Sequence, residues 1–422
     1  MKKSLFALAA VTAFAGAAQA QSSVTVYGIL DVGYIGANTR VNSSGNTTTN
    51  GATKKTANQF GQSAETSSRL GFKGVEDLGG GTSAFFTAEF ALAPNDQTLS
   101  GNSTSAAGLS NRQTFVGLKK NGIGQLAIGT QYTTVFNALA ATDPGQTNNM
   151  VGSVIYPQNS TGNNTADLGN NVALTPRTSN ALSVKSDKFA GFTASAFATM
   201  NNKNETELKT ATLTTGGNTN ASGWGLGADY AIQKFYVAAA YQSLKQLTTA
   251  TNGGVTAATG AVPAAWNQAQ ANGASAAPVG AAAAINSTDN QLFVGATYDF
   301  GILKAYANYT SRKVTSTASS NYYLKRSAEQ IGVRSYITPT IEGWASAGLG
   351  RFTEFGSGTP TQNFNAWQLG SNYYLSKRTN LYAIYGQTLA SNGNGTFTAG
   401  STAQTTRSSG ASNYAIGVRH TF

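Results

Sequence analysis

Asn413-Tyr414-Ala415-Ile416-Gly417-Val418-Arg419-His420-Thr421-Phe422 closes the chain, and its reading decides the fold. With a period of two, Tyr414, Ile416, Val418, His420 and Phe422 fall on one face, and Ala415, Gly417, Arg419 and Thr421 on the other. The first face suits hydrocarbon with aromatic groups at its ends; the second suits water. A strand with two such faces belongs in the wall of a membrane barrel. His420, the only histidine, is placed on the outward face near the membrane edge, as an interfacial aromatic.

The same pattern recurs upstream. Trp224, Leu226, Ala228 and Tyr230 alternate with Gly225, Gly227 and Asp229, and Leu292, Val294, Ala296, Tyr298 and Phe300 with Gly295, Thr297 and Asp299. The alternation predicts strands over Val24–Ala37, Ser67–Glu76, Thr82–Leu92, Asn111–Lys119, Gln125–Tyr132, Arg177–Ser186, Gly191–Met200 and Ser222–Ala231. It continues over Phe235–Leu244, Asn290–Phe300, Ile302–Ser311, Ala328–Tyr336, Ile341–Phe355, Phe364–Tyr374, Leu381–Ala390 and Asn413–Phe422. Their connections alternate in length. Tight turns such as Asp77–Gly81 and Lys120–Gly124 are interleaved with long polar segments, among them Asn38–Thr66, Thr133–Pro176, Asn201–Ala221 and Ser391–Ser412. The prediction is an all-β, transmembrane antiparallel β-barrel of 16 strands, with long extracellular loops and short periplasmic turns. Lys245–Asp289 is of low complexity, and no site is read into it.

Composition agrees. Mean hydropathy is −0.20, and beyond the first residues no run of eighteen apolar residues could form a spanning helix. A barrel strand meets lipid on alternate residues only, so a spanning chain can look soluble on average. Residues 1–20 are expected to be a signal peptide: Lys2 and Lys3 precede the apolar run Leu5–Ala17, and Ala18-Gln19-Ala20 is a small-x-small site cut before Gln21. The barrel is then residues 21–422, and loss of Lys2 and Lys3 lowers the formal charge from +11 to about +9. With no cysteine and one histidine, disulfides, thiolate metal sites and His-dependent catalysis drop out, and no cofactor is expected. The basic residues are scattered, with no basic helix or aromatic-basic module for nucleic acid.

Ser68-Arg69-Leu70-Gly71-Phe72-Lys73-Gly74-Val75-Glu76-Asp77-Leu78-Gly79-Gly80-Gly81 resembles the second-strand and first-turn signature of Gram-negative general porins. Ser23-Val24-Thr25-Val26-Tyr27-Gly28 with Asp31, Arg112-Gln113-Thr114-Phe115-Val116-Gly117-Leu118, and Phe422 match too, with the porins of β-proteobacteria nearest. The resemblance implies a homotrimer in the Gram-negative outer membrane that passes small hydrophilic solutes and anions. It implies a third long loop, here Thr133–Pro176, folded into each pore as a constriction. Arg69 and Arg112 match two wall arginines; a third usually comes from a Gly-Arg-Gln motif, where this chain has Gly129-Thr130-Gln131. Thr130 therefore stands where an arginine is expected and implies a less basic or wider constriction. Of the third loop's acidic residues, Asp143 and Asp167, Asp143 is the candidate for the opposing charge. Phe422 resembles the C-terminal signal of outer-membrane barrels, which implies recognition by the barrel-assembly machinery.

Alternation places Arg69, Lys73 and Arg112 on the lumen face, with Leu70, Phe72 and Phe115 toward lipid. A basic side chain facing lipid at mid-bilayer would cost ~2–4 kcal/mol. Fixed cations in a narrow pore raise the local anion concentration, so a mild anion preference is expected. Lys54-Lys55 and Lys325-Arg326 are expected in loops, near lipopolysaccharide or the pore mouth. A substrate-specific channel for phosphate or small carboxylates and a non-conducting barrel or adhesin are the rival readings.

Overall fold

A strand with one apolar and one polar face still has unpaired backbone groups at its edges, and in hydrocarbon only closure removes them. The computed structural model describes residues 23–45, 50–96, 109–158, 173–209, 214–248, 287–316, 323–355, 362–399 and 402–422. The expected signal segment, Asp167 and most of the low-complexity stretch lie outside the described residues.

The strands are β1 (Ser23–Gly45), β2 (Asn50–Gln62), β3 (Arg69–Gly79), β4 (Thr82–Ala91), β5 (Ser110–Lys120), β6 (Gly124–Tyr132), β7 (Arg177–Ser186), β8 (Phe192–Lys209) and β9 (Thr214–Ile232). They continue as β10 (Phe235–Thr248), β11 (Ser287–Asp299), β12 (Lys304–Ser316), β13 (Tyr323–Thr338), β14 (Ile341–Phe355), β15 (Gln362–Tyr374), β16 (Thr379–Ala399) and β17 (Thr402–Thr421). Neighbours pair antiparallel, and β17 returns to β1 with Ile29 opposite Thr421. Both β2 and β3 lie on β1, one above the other: Val32 faces Gln62, and Ile29 faces Arg69. They are two lengths of a single stave, so 17 strands make a closed barrel of 16 staves.

The closure seam explains the terminal aromatic. Phe422 and Gly28 exchange backbone hydrogen bonds at 3.1 Å in both directions. The Phe422 ring covers the outer side of Gly28, where a Cβ would collide with it. At the same rim, Gly79, Gly80 and Gly81 turn the chain with φ of +83, +58 and +74°, values that only glycine adopts without strain.

Several predicted loops are strands. Most of Asn38–Thr66 pairs as the upper parts of β1 and β2; Asn201–Ala221 and Ser391–Ser412 extend the β8–β9 and β16–β17 hairpins. Backbone pairing needs no apolar face, so a ladder can continue where the apolar alternation stops. Lys325-Arg326, expected in a loop, lies in β13.

The third loop turns inward. Thr133 caps helix α1 (Thr134–Thr142), its Oγ1 accepting from the Phe136 amide at 3.3 Å. Val135, Phe136, Ala138 and Leu139 bury against Ala238, Ala240 and Phe293 of the wall, while Asn137, Ala140 and Ala141 stay exposed. Full burial of a side chain such as Leu139 stabilises the loop by ~1.5–3 kcal/mol. The apolar core of this barrel therefore lies between loop and wall.

Candidate pore lining and constriction

On the wall of β1 to β6 a single carboxylate gathers the basic side chains. Glu89 of β4 accepts from Arg112 Nε at 2.8 Å and from the Tyr27 hydroxyl at 3.1 Å, and Arg69 Nη1 lies 3.7 Å away. Arg112 also donates to the Tyr132 hydroxyl at 3.0 Å, and Arg69 Nε to the Ser67 carbonyl at 2.9 Å. Arg112 and Glu89 are buried, while Arg69 is partly exposed. Lys73 is exposed, its Nζ 5.4 Å from the Tyr27 ring centroid, and it has no ion pair among the described residues. Two arginines thus share one carboxylate, with Lys73 exposed beside them. Glu89 is legible in principle, because a carboxylate in an apolar strand beside two arginine strands must face the lumen.

Arg112 reaches the lumen by a bulge. Glu89 faces Gln113 and Phe90 faces Asn111, so Arg112 is the extra residue and the alternation slips by one. Beyond it, Val116 and Leu118 are exposed on the outer face. Phe115, expected toward lipid, instead faces the lumen, in one row with Thr87 and Lys73. It lines a cavity of about 400 Å³ beside α1, together with Gln113, Tyr132, Ser183, Lys185 and Asp229.

Thr130 is a second correction. It pairs with Thr114, which shares the outer face with Val116 and Leu118, so Thr130 points out of the pore. The next residue, Gln131, is the one turned inward, bonded to Ser183 and to the carbonyls of Ala127 and Ala181.

Asp143 does not pair with Arg69 or Arg112. It is 4 % exposed, and its carboxylate accepts from the Gly145 and Thr147 amides and from Gln330 Nε2. Burial pushes its pKa above the usual carboxylate range, partly offset by those two amides. Its work is to hold the turn that follows α1. Further wall groups missed by sequence reasoning hold the rest of the loop. Arg334, paired with Glu342, donates to the Pro144 carbonyl at 2.7 Å; Arg326, stacked on Phe352 and Phe364, donates to that of Val154. Gln330 receives the Val154 amide, and Gln368 exchanges side-chain bonds with Asn148. The tip docks on residues 63–68, where Asn149 donates to the Ser63 carbonyl at 2.7 Å and Asp31 accepts the amides of Glu65 and Thr66.

The loop therefore follows the wall from β6 round to β1, and its described exposed residues, such as Asn137, Ala140, Ala141 and Gln146, are uncharged. Exposed Lys73 and partly exposed Arg69 lie on wall outside these contacts, while Arg326 and Arg334 are buried beneath the loop.

Comparison with known proteins agrees with this architecture. A family model for Gram-negative porins matches residues 7–395. An outer membrane porin protein of Bordetella pertussis is 28% identical over 418 residues, covering 91% of this chain and 93% of that protein. The structure of an anion-selective porin from Comamonas acidovorans superposes with a TM-score of 0.61 at 19% identity, covering 95% of this chain and 100% of the other. OmpT of Vibrio cholerae, in its trimer form, gives 0.56 at 14% identity, covering 95% and 99%. A closed sixteen-stave barrel, an inward third loop and a match along most of the sequence establish that this chain belongs to the Gram-negative porin family.

Proposed function

We propose that the protein is a passive diffusion channel of the outer membrane, passing small hydrophilic solutes and ions with a mild preference for anions. One observation carries the preference. Arg69, Lys73 and Arg112 face the lumen beside Glu89, the carboxylate that pairs with both arginines, and the exposed, described part of the third loop is neutral. The excess positive charge attracts anions over about a Debye length, ~8 Å at 0.15 M salt, so the preference weakens as salt rises. It is mild because Glu89 offsets one of the two arginines and because Thr130 supplies no charge to the lumen. The anion-selective Comamonas porin and the trimer form of the Vibrio protein support anion selectivity and a trimer as expectations here.

The same reading makes residues 1–20 a signal peptide cleaved between Ala20 and Gln21, and Thr133–Pro176 the constriction. It makes Phe422 the mark read by the assembly machinery, and lipopolysaccharide the lipid around the outer rim. With one histidine, turned outward, no His-dependent enzyme is proposed.

Reconstitution in a planar bilayer tests the proposal. Stepwise conductance and a reversal potential favouring chloride over potassium in a salt gradient are expected. No conductance would overturn the channel, and cation preference would overturn the role given to the basic wall. Saturating block by phosphate or a small carboxylate would replace general diffusion with a specific anion channel.

A further inference from the structure

The cavity beside α1 opens where the inward side chains of the wall become small. Across β7, β8, β9 and β10 one inward row consists of Lys185, Ser195, Gly227 and Ala240. The row nearer the short-turn rim holds Thr193, Asp229 and Ala238. Val184 and Leu226, their neighbours along β7 and β9, are exposed on the outer face, as the alternation requires. Between Lys185 and Asp229 the wall therefore offers little more than a serine hydroxyl and a bare glycine. One face of α1 covers it with Thr134, Asn137, Ala138 and Ala141, at helical spacing. The helix comes close here: a Cβ on Gly227 would stand 3.2 Å from that of Thr134. What remains between helix and wall is the space of about 400 Å³, within the ~300–1,000 Å³ of small-molecule sites.

Lys185 and Asp229 are the two charged residues of its lining. Lys185 is exposed and Asp229 half-buried, and neither side chain has an ion pair or hydrogen bond among the described residues. They sit two strands apart and two residues along, which puts their Cα atoms about 12 Å apart at ~4.8 Å per strand and ~3.4 Å per residue. Their charged ends thus stand on either side of the floor made by Ser195 and Gly227. Gln131 cannot neutralise either one, because its side chain is already bonded to Ser183 and to the carbonyls of Ala127 and Ala181. Lys119 continues the row of Lys185 beyond Gln125, so that end is the more basic. A purely anionic solute is opposed by Asp229 and a purely cationic one by Lys185. A solute that carries an ammonium and a carboxylate on one carbon satisfies both. Phe115 and Tyr132, at the far end of the lining, add aromatic surface for an apolar side chain.

We infer that the cavity between α1 and the wall of β7–β10 is a binding site for zwitterionic α-amino acids, with the carboxylate on Lys185 and the ammonium on Asp229. The site deepens the channel reading and rests on it, because the solute reaches the cavity through the lumen. It lies apart from Glu89 and its arginines, and it selects for paired opposite charges where they act on net charge.

The test is saturation-transfer NMR of the folded barrel in detergent, titrated with L-leucine, leucinamide and N-acetyl-leucine. The wild type should give a saturable signal with leucine and bind each capped analogue about threefold to fivefold more weakly, the range of partly exposed ion pairs. D229N should lose the preference over N-acetyl-leucine, and K185Q the preference over leucinamide. S195L fills the floor, keeps both charges and should weaken leucine. A merely structural role for the two residues would not produce this crossed pattern. No saturable leucine signal, equal binding of either capped analogue by the wild type, or unchanged preferences in both charge variants would each overturn the site. Gel mobility before and after heating checks that each variant is folded, and the capped analogues test the wild type without any variant. Conductance of the wild type in solute-free salt is recorded in parallel. A conducting barrel that binds no leucine overturns this site alone, whereas a non-conducting one strikes the channel reading.

Discussion

Arg112 donates from Nε to Glu89 Oε1 at 2.8 Å, and both side chains are buried in the pore wall. The bond draws the bulged arginine into the lumen and cancels much of its charge. Glu89→Gln keeps the shape and removes the anion, so reversal potentials should move further toward chloride. Glu89→Ala leaves Arg112 buried without its carboxylate, a change that costs ~3–5 kcal/mol in comparable pairs. Its folded fraction on heating should fall below that of the glutamine variant. Unchanged selectivity in Glu89→Gln would show that this pair does not set the field in the pore.

Lys73 is the exposed cation of the group. Lys73→Gln should lower anion preference with little loss of stability, because no ion pair is broken. The effect should be largest at low salt, where the Debye length grows to ~30 Å at 0.01 M. Reversal potentials at two ionic strengths check it; a shift independent of salt would reject a charge effect.

The bulge at Arg112 gives a test by face. Val116→Arg puts a charge toward lipid and should destabilise the barrel by up to ~2–4 kcal/mol at mid-bilayer, whereas Phe115→Arg enters the water-filled lumen and should fold. Thr130→Arg, pointing outward, should leave ion selectivity unchanged. Denaturant titration and bilayer recordings separate these outcomes, and greater anion preference in Thr130→Arg would place that residue in the pore.

Asp143 holds the turn after α1. Burial favours its neutral form, so Asp143→Asn should keep the loop docked, whereas Asp143→Ala strips acceptors from the Gly145 and Thr147 amides at ~1–3 kcal/mol for each buried group left unsatisfied. Because the docked pKa is raised, its contribution to docking is full below the free-carboxylate range and is lost as pH rises through the raised value. Current noise should therefore grow with pH in the wild type and stay flat in Asp143→Asn. Noise that falls with pH would contradict the assignment.

The barrel itself was legible residue by residue. Tyr414, Ile416 and Phe422 against Ala415, Gly417 and Arg419 named the lipid and water faces, and alternating short and long connections led to sixteen staves. These are local facts, since lipid imposes a period of two on every strand that touches it. The same rule fails wherever lipid is absent. The upper lengths of β1, β2, β8, β9, β16 and β17 carry no alternation to read.

The lumen was less legible, for a different reason. Arg69, Lys73 and Arg112 could be assigned to the lumen because a charge cannot face hydrocarbon cheaply. One bulged residue, however, turned Phe115 inward, and Thr130, set in the arginine's place by its neighbours in sequence, points out of the pore. The third loop's path was not written in the loop at all. Asp143, Pro144, Asn148 and Val154 are held by Gln330, Arg334, Gln368 and Arg326, about two hundred residues away in sequence. The sequence by itself determined which residues can face lipid, because that depends on neighbours along one strand. Only the closed barrel decided which charges face each other across water, because closure brings distant strands to opposite sides of a single lumen.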